Sequence, residues 1–162
     1  MAVVFLALGS NLGNRLENLQ HAVNRLAPFV QISHVSSIYE TEPWGITEQP
    51  RFLNMVVEGE TALAPEELLG ALKTRERELG RTETVRYGPR LIDIDILFYD
   101  DLIYKSDALE IPHPRLAERR FVLVPLADIA PDLLHPSLRL TVRELLAQLP
   151  DTGDVKLYPM SW

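Results

Sequence analysis

The sequence predicts an α+β domain in which helices pack on a mainly antiparallel sheet. Its 162 residues are 46% hydrophobic and 24% charged, which is typical of a globular chain that builds its own core. About five or six strand-like segments and about three or four helix-like segments follow one another in mixed order, with both short and helical connections. No repeat or low-complexity linker interrupts this pattern, so residues 1–162 are expected to form a single domain.

The first part of the chain predicts a strand, a helix and two further strands. Residues 3–8 are apolar throughout, as in a strand that is buried on both faces. Apolar residues then recur at helical spacing over 15–27, before a proline stops the run. Residues 31–39 and 52–61 are rich in β-branched side chains and indicate strands, and the proline-containing segment 42–50 between them indicates a loop.

A second helix and a further strand complete a βαββαβ order, which is typical of a ferredoxin-like core. Pro65 lies in the first turn of this helix, and Gly80 is a suitable residue to end it. A polar connection at 81–90 then leads to an apolar strand at 91–99. The order of elements therefore favours a ferredoxin-like core with helices packed on its sheet.

The last third of the chain predicts smaller elements. Asp100 and Asp101 indicate a tight turn from the preceding strand into a hairpin with residues 102–104. Further prolines divide the rest, and short helices are expected at 125–129 and 142–149.

Composition and charge exclude several classes of function. A net charge of −7 argues against a broad basic surface for nucleic acid. No apolar run reaches the roughly 18 residues of a membrane span, and the N-terminal segment lacks the basic flank of a secretion signal. The chain has no cysteine, which excludes disulfides and thiolate zinc sites and agrees with a reducing compartment. A cytoplasmic location is therefore expected.

The cations are mostly arginines, and they are clustered. The chain has 13 arginines and 3 lysines within its 16 basic residues, with five arginines between Arg75 and Arg90 and three between Arg115 and Arg120. A local anion site explains the clusters, because planar guanidinium groups bind phosphate and carboxylate groups through paired hydrogen bonds. A GC-rich coding bias is the alternative explanation for the excess of arginine, although it does not explain the clustering.

Asp93 and Asp95 are the most informative residues of the strand at 91–99. Side chains alternate along a strand, so the two carboxylates project from one face about 7 Å apart. The side chains expected on the opposite, core-forming face are those of Ile92, Ile94, Ile96 and Phe98. A solvent-facing acidic strip is one interpretation, but aspartate is a poor strand former and the strand is otherwise apolar, which favours a divalent cation. Oxygen ligands without cysteine or a spaced histidine pair favour Mg²⁺ over zinc.

Basic side chains lie next to this strand in the sequence. Arg86 and Arg90 precede it, and a second cluster with His113, Arg115 and Arg119 follows the expected hairpin. Carboxylates that hold Mg²⁺ beside guanidinium groups suit the transfer of a polyphosphate group. No phosphate-binding loop with a lysine is present, and a purely structural role is the alternative for His113.

Three other residues suggest a site for a flat ring. Asn54 lies in the middle of a strand, where a buried amide needs hydrogen-bond partners. Phe52 and Phe121 are core aromatics by default, yet an amide together with aromatic rings also suits a hydrogen-bonding heterocycle. Glu76, on the second helix, is by default an exposed acid.

With these residues in place, the chain resembles the family of 6-hydroxymethyl-7,8-dihydropterin pyrophosphokinases of folate biosynthesis. The most specific match is Tyr87-Gly88-Pro89-Arg90 followed by Asp93-Ile94-Asp95. The other matches, in the family's order, are Leu8-Gly9-Ser10-Asn11-Leu12-Gly13, Phe52-Leu53-Asn54, Glu76 with Gly80-Arg81, and Pro112-His113-Pro114-Arg115 with Arg119 and Phe121.

The resemblance implies a ferredoxin-like enzyme that transfers pyrophosphate from ATP to the hydroxymethyl group of the pterin and releases AMP. It implies that Asp93 and Asp95 hold two Mg²⁺ ions. The catalytic residues that it implies are Arg81, Arg90, His113 and Arg119. The ATP-binding residues that it implies are Glu76, Arg81, Arg86, Tyr87, Arg90, Ile96, His113 and Arg119. The pterin-binding residues that it implies are Thr41, Glu42, Trp44, Phe52, Asn54 and Phe121.

The expected partners are therefore ATP and the pterin, with no nucleic acid and no membrane, and the chain is expected to act as a monomer. Two positions depart from the family pattern, since Glu83 stands where a second arginine is frequent and Lys73 stands where a glutamine is found. Two other classes stay open. One is a different Mg²⁺-dependent phosphotransferase or phosphohydrolase, and the other is a ferredoxin-like module that binds RNA or protein without catalysis.

Overall fold

The computed structural model describes residues 1–42, 48–80 and 91–159. The strands in this part of the chain are β1 (Ala2–Ser10), β2 (Gln31–Val35), β3 (Tyr39–Thr41), β4 (Phe52–Thr61), β5 (Asp93–Tyr99), β6 (Tyr104–Lys105), β7 (Glu110–Ile111) and β8 (Val155–Leu157). The helices are α1 (Arg15–Asn24), α2 (Pro65–Glu78), α3 (Arg120–Ile129) and α4 (Val142–Ala147). Within these ranges, no helix is both long enough and apolar enough to cross a membrane.

The main sheet is antiparallel throughout its described pairings. Its strands lie in the order β5-β1-β4-β3-β8, and β2 pairs with β4 as well. Helix α1 connects β1 to β2, and α2 connects β4 to β5. The predicted βαββαβ order in a mainly antiparallel α+β fold is therefore confirmed, with β2 and β3 together in the place of one strand.

One face of the sheet, which we call the closed face, packs against α1 and α2. Its strands contribute side chains that are at most 3% exposed, namely Val4, Leu6, Leu8, Leu53, Met55, Val57, Ile94 and Ile96. Leu19 of α1 and Leu72 of α2 are fully buried against them. Each such side chain contributes about 1.5–3 kcal/mol when it leaves water, so the closed face supplies much of the stability of the fold.

The opposite face of the sheet has two parts. Helices α3 and α4 pack over a second apolar cluster that includes Phe5, Val56 and Leu97. Closer to the ends of the same strands, we define a polar patch by its residues, which are Gly9, Thr41, Asn54, Asp93 and Asp95. The register aligns Asp93 with Gly9 and Gly9 with Asn54, so these residues form a row across three strands, and Thr41 extends the patch onto β3.

Two strand predictions are wrong in detail. The segment predicted as one strand at 31–39 is two strands, because Ser36 lies between them and binds β4 with its side chain. Its Oγ accepts a hydrogen bond of 2.9 Å from the Val56 N–H. The turn predicted at Asp100 forms, with the Leu102 N–H donating to the Tyr99 carbonyl at 3.0 Å, but in the described fold residues 102–104 do not pair with β5 as the predicted hairpin requires. Strand β6 pairs instead with β7 in a separate two-stranded sheet.

Two further differences concern the start of α3 and the end of β5. Helix α3 begins at Arg120 rather than Pro125. The burial of Val122 and Leu123 stabilises the helical turn that precedes Pro125. The register of β1 against β5 shifts between Phe5 and Leu6, so strict alternation fails after the shift. Phe98 consequently packs in the second apolar cluster rather than on the closed face.

Candidate active site

The acidic pair lies at the beginning of β5. Asp93 and Asp95 are partly buried and stand opposite Gly9 and Ala7 of β1. Ile94, between them, points into the closed face and is fully buried. Its N–H donates a hydrogen bond of 2.7 Å to the Glu76 carboxylate on α2. Both carboxylates therefore project from the polar side of a strand whose backbone is fixed between the two residues.

Glu76 is a buried acid, and its default interpretation as an exposed helical residue is wrong. It is 1% exposed. One carboxylate oxygen accepts the Ile94 N–H, and the other lies 3.2 Å from the Lys73 ammonium group. A buried carboxylate is tolerated when hydrogen bonds and an opposite charge compensate for lost hydration. Glu76 thus joins α2 to the acidic strand, and Lys73, which departs from the family pattern, is its ion-pair partner.

Asn54 occupies the centre of the polar patch. Its side-chain amide donates a hydrogen bond of 2.6 Å to the hydroxyl of the buried Thr41. The amide in the middle of the strand therefore has the hydrogen-bond partner that the sequence analysis expected. Gly9 makes room for this side chain, because a Cβ atom at position 9 would lie 2.7 Å from Asn54 Oδ1. A glycine at the end of β1 is therefore a requirement of the site and not only a turn signal.

Phe52 lies beside Asn54 on the same side of β4 and pairs with Thr41 in register. Its Cδ1 atom would be 3.6 Å from a Cβ at position 9. The structure thus brings together three of the predicted pterin-binding residues, Thr41, Phe52 and Asn54. Glu42, a fourth, is exposed and forms an ion pair of 3.0 Å with Arg51.

Asn11 is a structural residue of the site that the sequence reasoning missed. It is 1% exposed, and its amide donates to Gln49 Oε1 and to the Pro50 carbonyl, both at 2.9 Å. These bonds join the end of β1 to the segment that enters β4. The signal was present in the Gly9-Ser10-Asn11 sequence, where polar residues directly follow a buried strand.

His113 lies beside β5, because its N–H donates to the Leu97 carbonyl at 3.0 Å. Burial, followed by the charges of Arg119 and Arg115, lowers its pKa to about 4. Its Nδ1 accepts the Arg115 N–H at 3.2 Å, which assigns the ring proton to Nε2. At neutral pH His113 is therefore an uncharged hydrogen-bond donor in a setting made positive by two arginines.

Arg119 and Phe121 flank the start of α3. The Arg119 guanidinium carbon lies 5.5 Å from the centre of the Phe121 ring, within the range of a cation–π contact. The ring packs partly buried against the second apolar cluster, which also contains Val56, two residues after Asn54. Arg119, directly before α3, and Phe121, in its first turn, thus lie on the side of the sheet that bears the polar patch.

The remaining predicted site residues divide into two groups. Ile96 is 3% exposed and packs on the closed face, so its side chain points away from the acidic pair. Trp44, Arg81, Arg86, Tyr87 and Arg90 lie outside the described residues.

The donor set of the polar patch fits Mg²⁺. In the part of the chain that the structure describes, no group of three or more histidine, aspartate or glutamate side chains could hold a metal ion. Two carboxylates alone suit Mg²⁺, which usually completes its coordination shell with water and substrate phosphate oxygens. A zinc site, which has three or four protein ligands, is not formed by these residues.

The fold and the site together define the class of protein. It is a ferredoxin-like α+β domain with an acidic pair at the beginning of the edge strand β5, and with a neutral imidazole and an arginine in the segment that leads to α3. The chain belongs to the 7,8-dihydro-6-hydroxymethylpterin-pyrophosphokinase (HPPK) family, whose model matches residues 5–131.

Relatives with named activities agree with this assignment. The chain is 43% identical over 144 residues to the 2-amino-4-hydroxy-6-hydroxymethyldihydropteridine pyrophosphokinase of Aquifex aeolicus (strain VF5), covering 89% of this chain and 90% of that protein. It is 45% identical over 157 residues to the folic acid synthesis protein FOL1 of Dictyostelium discoideum, covering 97% of this chain and 24% of that protein. The chain therefore spans about a quarter of the length of this longer relative.

A solved structure shows the same fold. The Plasmodium falciparum HPPK-DHPS wild-type structure superposes with a TM-score of 0.73 at 18% identity, over 91% of this chain and 44% of that chain. The shared architecture therefore persists at low sequence identity.

Proposed function

We propose that this chain transfers the β,γ-diphosphoryl group of ATP to the hydroxymethyl oxygen of 6-hydroxymethyl-7,8-dihydropterin in folate biosynthesis. The observation that carries this proposal is the row of Asp93, Gly9 and Asn54 across three strands. The row supports the proposal because Asp93 and the Asn54 amide lie on the same side of the sheet, with Asp95 and the Phe52 ring beside them. Family membership supports the same reaction.

The proposed reaction is a direct transfer between the two substrates and needs no covalent enzyme intermediate. The pterin hydroxyl oxygen forms a bond to the β-phosphorus of ATP, while the bond from that phosphorus to the α,β-bridging oxygen breaks. AMP leaves with the bridging oxygen, and the hydroxyl proton passes to solvent. The protein's contribution is to hold the two substrates in line and to stabilise charge on the phosphate oxygens.

Asp93 and Asp95 are proposed to hold two Mg²⁺ ions together with ATP oxygens. Bound Mg²⁺ would neutralise and orient the phosphate groups. Partial burial keeps the two carboxylates accessible, and the Ile94 N–H bond to Glu76 keeps the strand between them in place. The acidic pair is therefore prepared for a cation before ATP arrives.

The triphosphate is proposed to contact Arg119 and His113. His113 would donate its Nε2–H as a neutral group, since its lowered pKa leaves it uncharged at pH 7. The positive charge then comes from arginine, which keeps its charge at all accessible pH values. Glu76 is proposed to support the nucleotide site from behind the acidic strand, since it is 1% exposed and accepts the Ile94 N–H. The proposed ATP contacts that lie outside the described residues are Arg81, Arg86, Tyr87 and Arg90.

The pterin is proposed to lie between the rings of Phe52 and Phe121, with its hydrogen-bonding edge on the polar patch. Asn54 has an amide oxygen available for this purpose while its NH₂ group binds Thr41. Glu42 and Trp44 are proposed to contribute through the segment that follows β3. We also propose that the chain acts as a monomer in the cytoplasm.

The reaction is tested by following ATP in the presence of Mg²⁺ and the hydroxymethyl-dihydropterin. We expect equal amounts of AMP and pterin diphosphate, no turnover without the pterin, and loss of activity when EDTA removes the metal. Formation of ADP or free phosphate would indicate a different phosphotransferase or phosphohydrolase. RNA binding without any nucleotide turnover would support the non-catalytic module instead.

A further inference from the structure

A hydrogen-bonded contact joins β3 to the far end of α3. The Tyr39 hydroxyl donates to Asp128, with 2.9 Å and 2.8 Å to the two carboxylate oxygens. The Ser37 N–H lies 3.3 Å from the second of these oxygens. A single carboxylate near the end of α3 is thus bound by two successive parts of the chain that leads into β3.

The two partners of this contact belong to the two elements that carry residues of the proposed pterin site. Tyr39 stands opposite Asn54 in the register of β3 and β4, and Thr41, two residues later, binds the Asn54 amide. Asp128 is seven residues after Phe121 on α3. Seven residues are two helical turns, so Phe121 and Asp128 lie on the same side of α3, about 10 Å apart along its axis.

The remaining contacts of α3 with the sheet are of a different kind. Val122, Leu123 and Leu126 are buried in the second apolar cluster. Apolar packing is non-directional, so it resists separation of the helix from the sheet better than rotation or sliding. Hydrogen bonds to the two oxygens of one carboxylate do fix direction. The contact of Tyr39 with Asp128 therefore determines how α3, with Phe121 at its start, is oriented against β3 and β4.

Loss of the Tyr39 hydroxyl proton does not interrupt this contact near neutral pH. Burial, followed by the hydrogen bond to Asp128 and its negative charge, raises the pKa of Tyr39 above its usual value. The hydroxyl consequently remains a donor at any pH at which the protein is assayed. Removal of the donor or the acceptor by substitution is thus the appropriate way to break the contact.

We propose that Tyr39 and Asp128 are positioning residues for the pterin, which set the distance between the Phe121 ring and the Asn54 amide. The proposal rests on the proposed function, since it assumes that these two groups contact the same substrate. Neither Tyr39 nor Asp128 needs to touch the pterin. Their effect acts through the orientation of α3, and it concerns binding of the pterin rather than the chemical step.

The first test is Tyr39→Phe, which removes only the hydroxyl group. We expect the KM for the pterin to rise about three- to tenfold, which corresponds to about 0.7–1.4 kcal/mol and lies in the range of one ordinary intramolecular hydrogen bond. The kcat and the KM for ATP should change by less than about twofold. Calorimetric titration of the pterin, with a non-hydrolysable ATP analogue present, should show the same loss of affinity.

Asp128→Asn and the double variant locate the effect in the contact itself. Asp128→Asn keeps one acceptor oxygen and should give a smaller rise in the KM for the pterin. The double variant should be no worse than Tyr39→Phe alone, because both substitutions break one interaction. Additive effects of the two substitutions would contradict the proposed coupling.

Tyr104→Phe is a matched control. The Tyr104 hydroxyl also donates to a carboxylate of a helix, that of Glu66 on α2. The Tyr104→Phe substitution should leave the KM for the pterin unchanged. A Tyr39→Phe variant with a lower melting temperature but an unchanged KM for the pterin would overturn the inference and leave the contact a structural one. AMP formation by the wild-type protein tests the proposed function separately. Its absence would contradict the proposed function, whereas an unchanged KM in the Tyr39→Phe variant of an active enzyme would contradict only the positioning role.

Discussion

The closed face and the polar patch are built from adjacent residues of the same strands, yet they differ in nearly every physical property. Leu8, Leu53 and Ile94 on the closed face are at most 1% exposed and belong to the apolar core cluster. Their sequence neighbours Gly9, Asn54 and Asp93 form the polar patch on the other side. Strand alternation therefore separates the residues that stabilise the fold from those proposed to perform the chemistry.

The difference teaches how the chain tolerates two acids in an apolar strand. Asp93 and Asp95 are only partly buried, so they keep part of their hydration. Glu76, by contrast, is buried on the α2 side, and it is compensated by Lys73 and by the Ile94 N–H. Substitutions on the two sides should consequently change different measurements, which can be ranked by size.

The largest effect is expected from Asp95→Asn, which keeps the size of the side chain and removes its charge. Activity should fall by at least about 10²-fold, since a lost metal ligand costs several kcal/mol of transition-state stabilisation. Because the site is partly open and a like charge remains at Asp93, the melting temperature should not fall. AMP formation and thermal unfolding provide the two measurements.

Asp101→Asn is the matched control for this prediction, because Asp101 is an exposed acid in the turn after β5. It should retain wild-type turnover. Asp95→Asn with more than half of the wild-type activity would contradict the assignment of the polar patch as a metal site.

Leu6→Ala tests the closed face, where we expect a loss of stability without a loss of activity. Leu6 is fully buried on β1, so the free energy of unfolding should fall by about 2–5 kcal/mol. At a temperature where the variant is folded, its kcat/KM should stay within about twofold of the wild type. Urea unfolding and steady-state kinetics measure the two quantities, and a large fall in kcat/KM with little loss of stability would remove the separation between the faces.

Much of this separation could be predicted from the sequence, because it depends on a period of two in one strand. Asp93, Asp95 and their apolar neighbours show that period over the first half of β5. The register shift between Phe5 and Leu6 could not be predicted, since it arises from the pairing of β1 with the distant strand β5. As a result the expected orientation of Phe98 was wrong although that of Asp95 was right.

The burial of Glu76 and the pairing of β6 also depend on contacts between distant segments. Nothing in the spacing of α2 shows that one of its acids receives the Ile94 N–H. Likewise, the turn at Asp100 is a genuine turn, since the Leu102 N–H donates to the Tyr99 carbonyl at 3.0 Å, but β6 pairs with the more distant β7 and not with β5. Local patterns predict elements well, and they fail where a distant partner competes for the backbone.

Gly9→Ala should have a smaller effect, and it tests whether the polar patch is packed to its limit. The added Cβ would lie 2.7 Å from Asn54 Oδ1, so the amide has to move away from Thr41. Overpacking of this kind costs about 1–3 kcal/mol, and here we expect a higher KM for the pterin with an unchanged KM for ATP. Gly59→Ala is the matched control, since its Cβ would lie 2.6 Å from Val30 Cγ1 in the core. The control should lose stability with no change in the KM for the pterin, and equal effects of both substitutions on that KM would contradict the special role of Gly9.

The smallest effect concerns His113, whose pKa is lowered mainly by burial. Its pKa is about 4 in the folded chain and near the ordinary 6.5 in the unfolded chain. As the pH falls from 6.5 to 5.5, the unfolded state binds a proton that the folded state does not, so stability falls by about 1 kcal/mol. His113→Gln should remove this loss, although His135, whose pKa is also lowered by burial, keeps part of the wild-type slope. Between pH 8 and 7.5 both states are nearly uncharged at this position, and the stability difference between variant and wild type should stay constant there. Urea unfolding at these pH values measures the slopes, and identical slopes below pH 6.5 would show that His113 is not held neutral by its surroundings.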